Sequence, residues 1–358
     1  KLMTRILTTV IKGILEQMKV KENEKVILLT TREIDPTSPN IAEYWFDALT
    51  ESGAQSLRIT VPSVEKNGKL VSSVQNREFD HQILKQSDLI INLQVKFPGN
   101  IPKPINIYSD EFNDILRGGT RWQDVMMNHP ETNYRRLYPR DEIIKKTQEG
   151  AKLMQEAKTI RITSKHGTDM TMDKTGRKAM ACIGVANEPG RWENLGNGLV
   201  CCAPIEDSAN GNMVIMPGDV FPHEGVNLLN IREPVKIKVK DGKIKSIEGG
   251  LEAEIIRKHL ASKDEDAYSI SGHIGWGTQD AAVLPNSKYF TTPDYEGYAG
   301  NMQNHWGRNI FDAPAKYNGF AGLNRSNGHG GPSCLNNTFY LDDEIIVNEG
   351  KLVHDKCK

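Results

Sequence analysis

Four apolar runs in the first third of the chain, KVILL at 25–29, LRITV at 57–61, DLIINLQV at 88–95 and INIYS at 105–109, alternate with helical periodicity near 3–19, 40–52 and 78–86. This alternation constrains the fold more than any other feature. Strands separated by helices cannot close as two-residue hairpins and must run parallel through crossovers. From TIRITSK at 159–165 onward the pattern changes to short strands and glycine-rich turns. VKIKVKDGKIKSIEGG at 235–250 alternates around Asp241-Gly242, and FYLDDEIIVNEGKLV at 339–353 does the same around Asn348 to Gly350; both carry the signature of a hairpin. The expected architecture is therefore α/β plus α+β. An N-terminal α/β domain with a mostly parallel sheet spans residues 1–150, and a C-terminal β-rich domain spans 151–358, the charged helical stretch at 140–157 lying at the junction.

Charge narrows the partners. A formal net charge of −1, with 25% charged residues, offers no basic surface to neutralise many phosphates, so nucleic acid is not an expected partner. No apolar run reaches the length of about 18 residues that a membrane span needs. The stretch KLMTRILTTVIKGILEQMK at 1–19 reads as an amphipathic helix. Five cysteines, an odd number without CxxC spacing, suggest neither a disulfide framework nor a zinc-thiolate site and favour a reducing, cytoplasmic setting. No membrane partner is expected, and assembly as a homo-oligomer is.

Three of the nine histidines stand out: His273 in SISGHIGWGTQ, His305 in GNMQNHWGRN and His329 in SNGHGGPSC. Each has glycine within two residues, which lets backbone or ligand approach closely. Three converging neutral imidazoles would hold a divalent metal and leave positions open for water, substrate or dioxygen. Separations of 32 and 24 residues match no compact ligand motif, and each could equally be a hydrogen-bonded loop histidine. Glu188 and Arg191 in NEPGRW (187–192) form a second candidate, placed in a turn by Pro189-Gly190. There Glu188 could orient a substrate hydroxyl or N–H, or move protons if desolvation raised its pKa; the plain alternative is an ion pair with Arg191. No dinucleotide, phosphate-loop or nucleophile-elbow motif is present.

GGLEAE (249–254), HIGWGTQ (273–279), the GN-x4-WGRN segment (300–309) and YLDDEIIV (340–347), preceded by NEPGRW and EDSANG (206–211), together resemble the 2,5-dihydroxypyridine 5,6-dioxygenase family. That family implies a non-haem iron ring-cleaving dioxygenase on a metallo-aminopeptidase-like fold. Its first iron ligand falls on His273 and its second on His329, 13 residues before Asp342. The third would be an aspartate two residues later, where this chain has Gly331. His305 lies in a segment the family keeps close to the metal, and it is the expected replacement, giving a three-histidine face. One negative charge fewer raises the Lewis acidity and redox potential of a bound metal. Another departure is LQVKFPGN at 93–100, which has no histidine where the family carries an acid/base.

The resemblance implies an Fe(II)-dependent oxygenase, with zinc or manganese as other metals the face would take. Its partners would be dioxygen and a small hydroxylated aromatic or N-heterocyclic substrate, with Glu188 and Arg191 as catalytic groups. The alternative is a metal-dependent hydrolase of an amide or cyclic amide, since three histidines also suit zinc and hydrolysis.

Overall fold

The structure, a computed structural model, describes residues 2–31, 41–61, 63–66, 69–72, 77–93, 110–125, 141–223, 227–284, 292–309 and 322–358. It divides into two compact units. The first takes residues 1–140 and 184–197, and the second 141–183 with most of the chain from 198 onward.

Among the described residues of the first unit, five parallel strands stand in the order Trp192–Asn194, Arg121–Asp124, Leu89–Asn92, Lys25–Thr31, Gln55–Val61. Helices Leu2–Gln17, Ile41–Glu51 and Arg77–Lys85 follow the expected alternation. KVILL and LIIN become interior strands because a parallel sheet covered on both faces wants continuous apolar runs, whereas LRITV forms the edge strand, with Leu57 54% exposed. INIYS and residues 94–100 lie outside the described residues. Two strands were not legible as apolar runs. Arg121–Asp124, sequence RWQD, is buried at all four positions, and its polar side chains are satisfied internally. Arg121 donates to the carbonyl of Ala186 at 2.8 Å and pairs with Glu24 at 2.5 Å. Asp124 accepts from Asn92 at 2.7 Å and from the indoles of Trp122 and Trp192 at 3.0 and 2.8 Å. The other, Trp192–Asn194, extends the sheet from a segment distant in sequence.

The second unit holds two antiparallel sheets, each of eight described strands. The 235–250 hairpin forms as expected, Val235–Lys240 against Lys243–Glu248, with Asp241 at φ 51° and Gly242 at φ 71°; both central residues of such a turn need positive φ. The 339–353 segment makes two turns where one was expected. Thr338–Leu341 pairs with Glu344–Asn348, which pairs with Lys351–Leu352, and the extra turn places Asp342 at φ 49°. Helix Leu251–Ala261 starts with Glu252 and Glu254 in its first turn, where the helix dipole favours acids.

In the other sheet, His273–Gly277, Met302–Gly307 and Ser333–Cys334 are neighbours, and His329–Gly330 also pairs with Met302–Gly307. Ile274, Trp276, Met302 and Trp306 enter the apolar core shared by the unit. Side chains alternate across a strand, so His273, Gly275, Gln303 and His305 face the other way. Each indole that leaves water contributes about 4–6 kcal/mol by area. A one-residue slip would expel Trp276 and Trp306 and turn both histidines into the core, so the tryptophans set the register that aims the imidazoles.

Candidate metal centre

His273 and His305 are directly opposite each other across the antiparallel pair, with ring centroids 4.0 Å apart. His329 sits opposite Gly307, two residues beyond His305, so period-two alternation brings it to the same face. One ligand atom from each imidazole lies within 4.8 Å of the others. Residues 32 and 24 positions apart in sequence thus converge because three strands of one sheet carry them. His273 and His305 are 6% and 2% exposed, while His329 is half-buried.

The donor set fits a metal ion. Nδ1 of His305 and Nε2 of His329 stand 3.4 Å apart. Two nitrogens each about 2.1 Å from one metal at a near-tetrahedral angle would be about 3.4 Å apart. Nδ1 of His329 is 2.7 Å from the carbonyl of Arg308, so Nδ1–H donates there and Nε2 keeps its lone pair. Burial pushes His273 and His305 well below the ordinary histidine pKa, and neighbouring imidazoles push further in the same direction. Burial also lowers His329, opposed by its bond to the Arg308 carbonyl. All three are therefore held neutral, the form that ligates.

Two carboxylates brace the loop that carries His329. Asp264 accepts from Ser326 Oγ and Asn327 N, both at 2.6 Å. Glu206 accepts from Leu323 N at 2.7 Å and Asn309 at 2.8 Å and pairs with Arg177. Glu206, the first residue of EDSANG, is thus a strut for this loop.

Gly331 stands where the resemblance implies an aspartate, and the backbone explains the glycine. A Cβ there would lie 2.0 Å from the carbonyl oxygen of Asn304 and 2.9 Å from Cα of His305. Any side chain must force the His305 strand away. Gly331→Asp is expected to destabilise the protein by about 3 kcal/mol, the upper part of the overpacking range, and to lose metal rather than supply a ligand. An unchanged urea midpoint together with retained metal would overturn this.

Glu188 and Arg191 lie in the first unit, whereas their place in the sequence predicts the C-terminal domain at 151–358. Their turn is closed by Arg191 N–H donating to the Glu188 carbonyl at 3.1 Å. The Glu188–Arg191 ion pair is replaced by another. Arg191, 5% exposed and immediately before the strand Trp192–Asn194, donates through Nε and Nη2 to Glu193 Oε1 at 2.8 and 2.6 Å. Glu188 is half-buried. Sequence reasoning missed Asn301 and Gln303, although polar residues at every second position up to His305 were the available signal, and Ser333, for which that pattern offers none.

A parallel α/β unit with a β-rich unit, the latter presenting three imidazoles, two buried and one half-buried, on one sheet face, defines an enzyme scaffold able to take one divalent ion. The model of the NicX family, 2,5-dihydroxypyridine 5,6-dioxygenase, matches residues 6–354, and the chain belongs to that family. It is similar to the 2,5-dihydroxypyridine 5,6-dioxygenase of Pseudomonas putida KT2440, with 25% identity over 97% of this chain and 96% of the relative. The solved structure of 2,5-dihydroxypyridine dioxygenase from that organism superposes with a TM-score of 0.82 at 24% identity over 98% of each chain. Wild-type AmpT from Thermus thermophilus superposes with a TM-score of 0.70 at 14% identity, over 98% of this chain and 99% of its own. The fold is the expected one. Among the described residues no helix is long and apolar enough to cross a membrane.

Proposed function

We propose that the chain is a mononuclear non-haem iron(II) oxygenase that opens the ring of a small hydroxylated N-heterocycle of the 2,5-dihydroxypyridine kind, with His273, His305 and His329 as the protein ligands. The supporting observation is the convergence of three imidazoles within 4.8 Å in a chain of this family. When bound, iron(II) would supply chelation of the hydroxylated ring and redox activation of dioxygen. The imidazoles hold it without neutralising its charge, which favours a substrate whose hydroxyl is deprotonated. The Arg308 carbonyl fixes the tautomer of His329.

Glu188 is the proposed proton carrier, and Arg191, tied to Glu193, orders its turn; this assignment rests on the NEPGRW resemblance. Glu188→Gln is expected to cut turnover at least about 100-fold, the low end of acid/base contributions, with metal content unchanged. Unaltered turnover would remove Glu188 from the chemistry. A cytoplasmic location and homo-oligomeric assembly belong to the same proposal. Five free cysteines suit a reducing compartment, and gel filtration reads the assembly.

Purification without oxygen, metal analysis, and oxygen uptake with 2,5-dihydroxypyridine and related hydroxylated heterocycles test the reading. Iron with substrate-dependent uptake supports it. Zinc with amide hydrolysis and no uptake replaces it with the hydrolase, and a chain that binds no metal retires both.

A further inference from the structure

Asn301, Gln303 and His305 occupy alternate positions along one strand and its entry, so they share the face that carries the imidazoles. On that face Gln303 is 0% exposed and His305 2% exposed. Gln303 Oε1 and His305 Nε2 are buried with no hydrogen-bond partner among the described residues. Each such group left unmet costs about 1–3 kcal/mol.

The chemistry of the two groups is complementary. Gln303 Nε2 donates to the Tyr295 carbonyl at 2.7 Å and to Ser333 Oγ at 2.6 Å. Turning the amide over would set its oxygen against the Tyr295 carbonyl, so the amide is held with Oε1 as the unmet acceptor. On the imidazole, Nδ1 faces His329 Nε2 at 3.4 Å. If Nδ1 supplies the lone pair for a metal, a neutral ring must carry its proton on Nε2, which makes Nε2–H the unmet donor. Positions two apart along a strand are separated by about 6.6 Å, a span that a glutamine side chain reaches.

We propose that Gln303 is a positioning residue whose Oε1 accepts the Nε2–H of His305 when the centre is loaded, fixing His305 as an Nδ1 ligand. This rests on the reading that the three histidines hold one metal. Metal-ligating imidazoles almost always give their second N–H to an acceptor. His329 already does so, to the Arg308 carbonyl, and Gln303 completes the same arrangement for His305. Asn301 provides an internal control. It also donates to the Tyr295 carbonyl, at 2.6 Å, and to Ser333 Oγ, but lies four residues from His305.

The test uses the full chain loaded with zinc, a diamagnetic probe, and labelled with 15N-histidine. Nitrogen-detected correlation spectra should show His305 protonated on Nε2 and metal-bound through Nδ1, with slow exchange of the Nε2 proton. Gln303→Leu should speed that exchange at least about tenfold and weaken zinc about 10- to 100-fold, the range for losing such a partner. Asn301→Leu, which loses the same two contacts to Tyr295 and Ser333, should do neither. Zinc bound through Nε2 of His305 in the parent protein overturns the proposal without reference to any variant. So do equal effects of the two substitutions. Absence of zinc binding by the parent protein is a separate outcome, which removes the metal reading and this inference with it.

Discussion

His305→Ala is expected to bind zinc or iron about 100- to 1000-fold more weakly than the parent protein, and as weakly as His329→Ala. Structural zinc sites with four ligands bind with about 10–16 kcal/mol, so one ligand accounts for about 2.5–4 kcal/mol, or two to three powers of ten. The equality is the informative part. A histidine that merely packs beside the centre would change affinity far less than one that supplies a lone pair. His305 stands opposite His273 in the ladder and 3.4 Å from His329, which is a ligand's place. Chelator competition measures both variants, and His305→Ala within threefold of the parent protein would return the centre to two histidines.

Acid sensitivity follows from the same three side chains. Their folded pKa values are depressed by burial, so below about 6.5 the unfolded chain takes up protons that the folded chain refuses. Stability is then present above pH 6.5 and lost as pH falls toward the depressed folded values. With three groups the loss is at most about 4 kcal/mol per pH unit, at about 1.4 kcal/mol for each, and His329 contributes less than the other two because its bond to the Arg308 carbonyl opposes the shift. Asp219 opposes it. Burial raises its carboxyl to about 6, so the folded chain binds that proton first and recovers up to about 1.4 kcal/mol per unit below pH 6. Urea midpoints of metal-free protein between pH 7.5 and 5.5 should fall steeply, and His273→Gln should remove about a third of the histidine slope. A flat profile would mean that the imidazoles are solvated rather than buried.

The residues that announced their role were those whose chemistry shows in local pattern. Asp241-Gly242 specified its hairpin through the positive φ that such turns need. His273, His305 and His329 were marked by neighbouring glycines and by the order of motifs, but nothing in separations of 32 and 24 residues says that they meet. Gly331 was read as a missing ligand. It is also a close approach, because the Asn304 carbonyl occupies the space a Cβ would need. The turn offers Arg191 an ion pair with Glu188 as the plain alternative, and the fold pairs it with Glu193 instead. RWQD escaped because a buried polar strand has no apolar run; its partners Glu24, Asn92, Ala186 and Trp192 are distant along the chain.

By itself, the sequence determined the alternating helices and strands of the first unit, the hairpins of the second, and the three histidines as the residues to watch. Each is a property of neighbours along the chain, set by periodicity, turn conformation or composition. Only the tertiary structure decided that His273 and His305 lie across one ladder with His329 beside them, and that Gln303 shares their face. Strand register decided it. The burial of Trp276 and Trp306 against strands far along the chain fixes that register, and no local pattern encodes which strands those are.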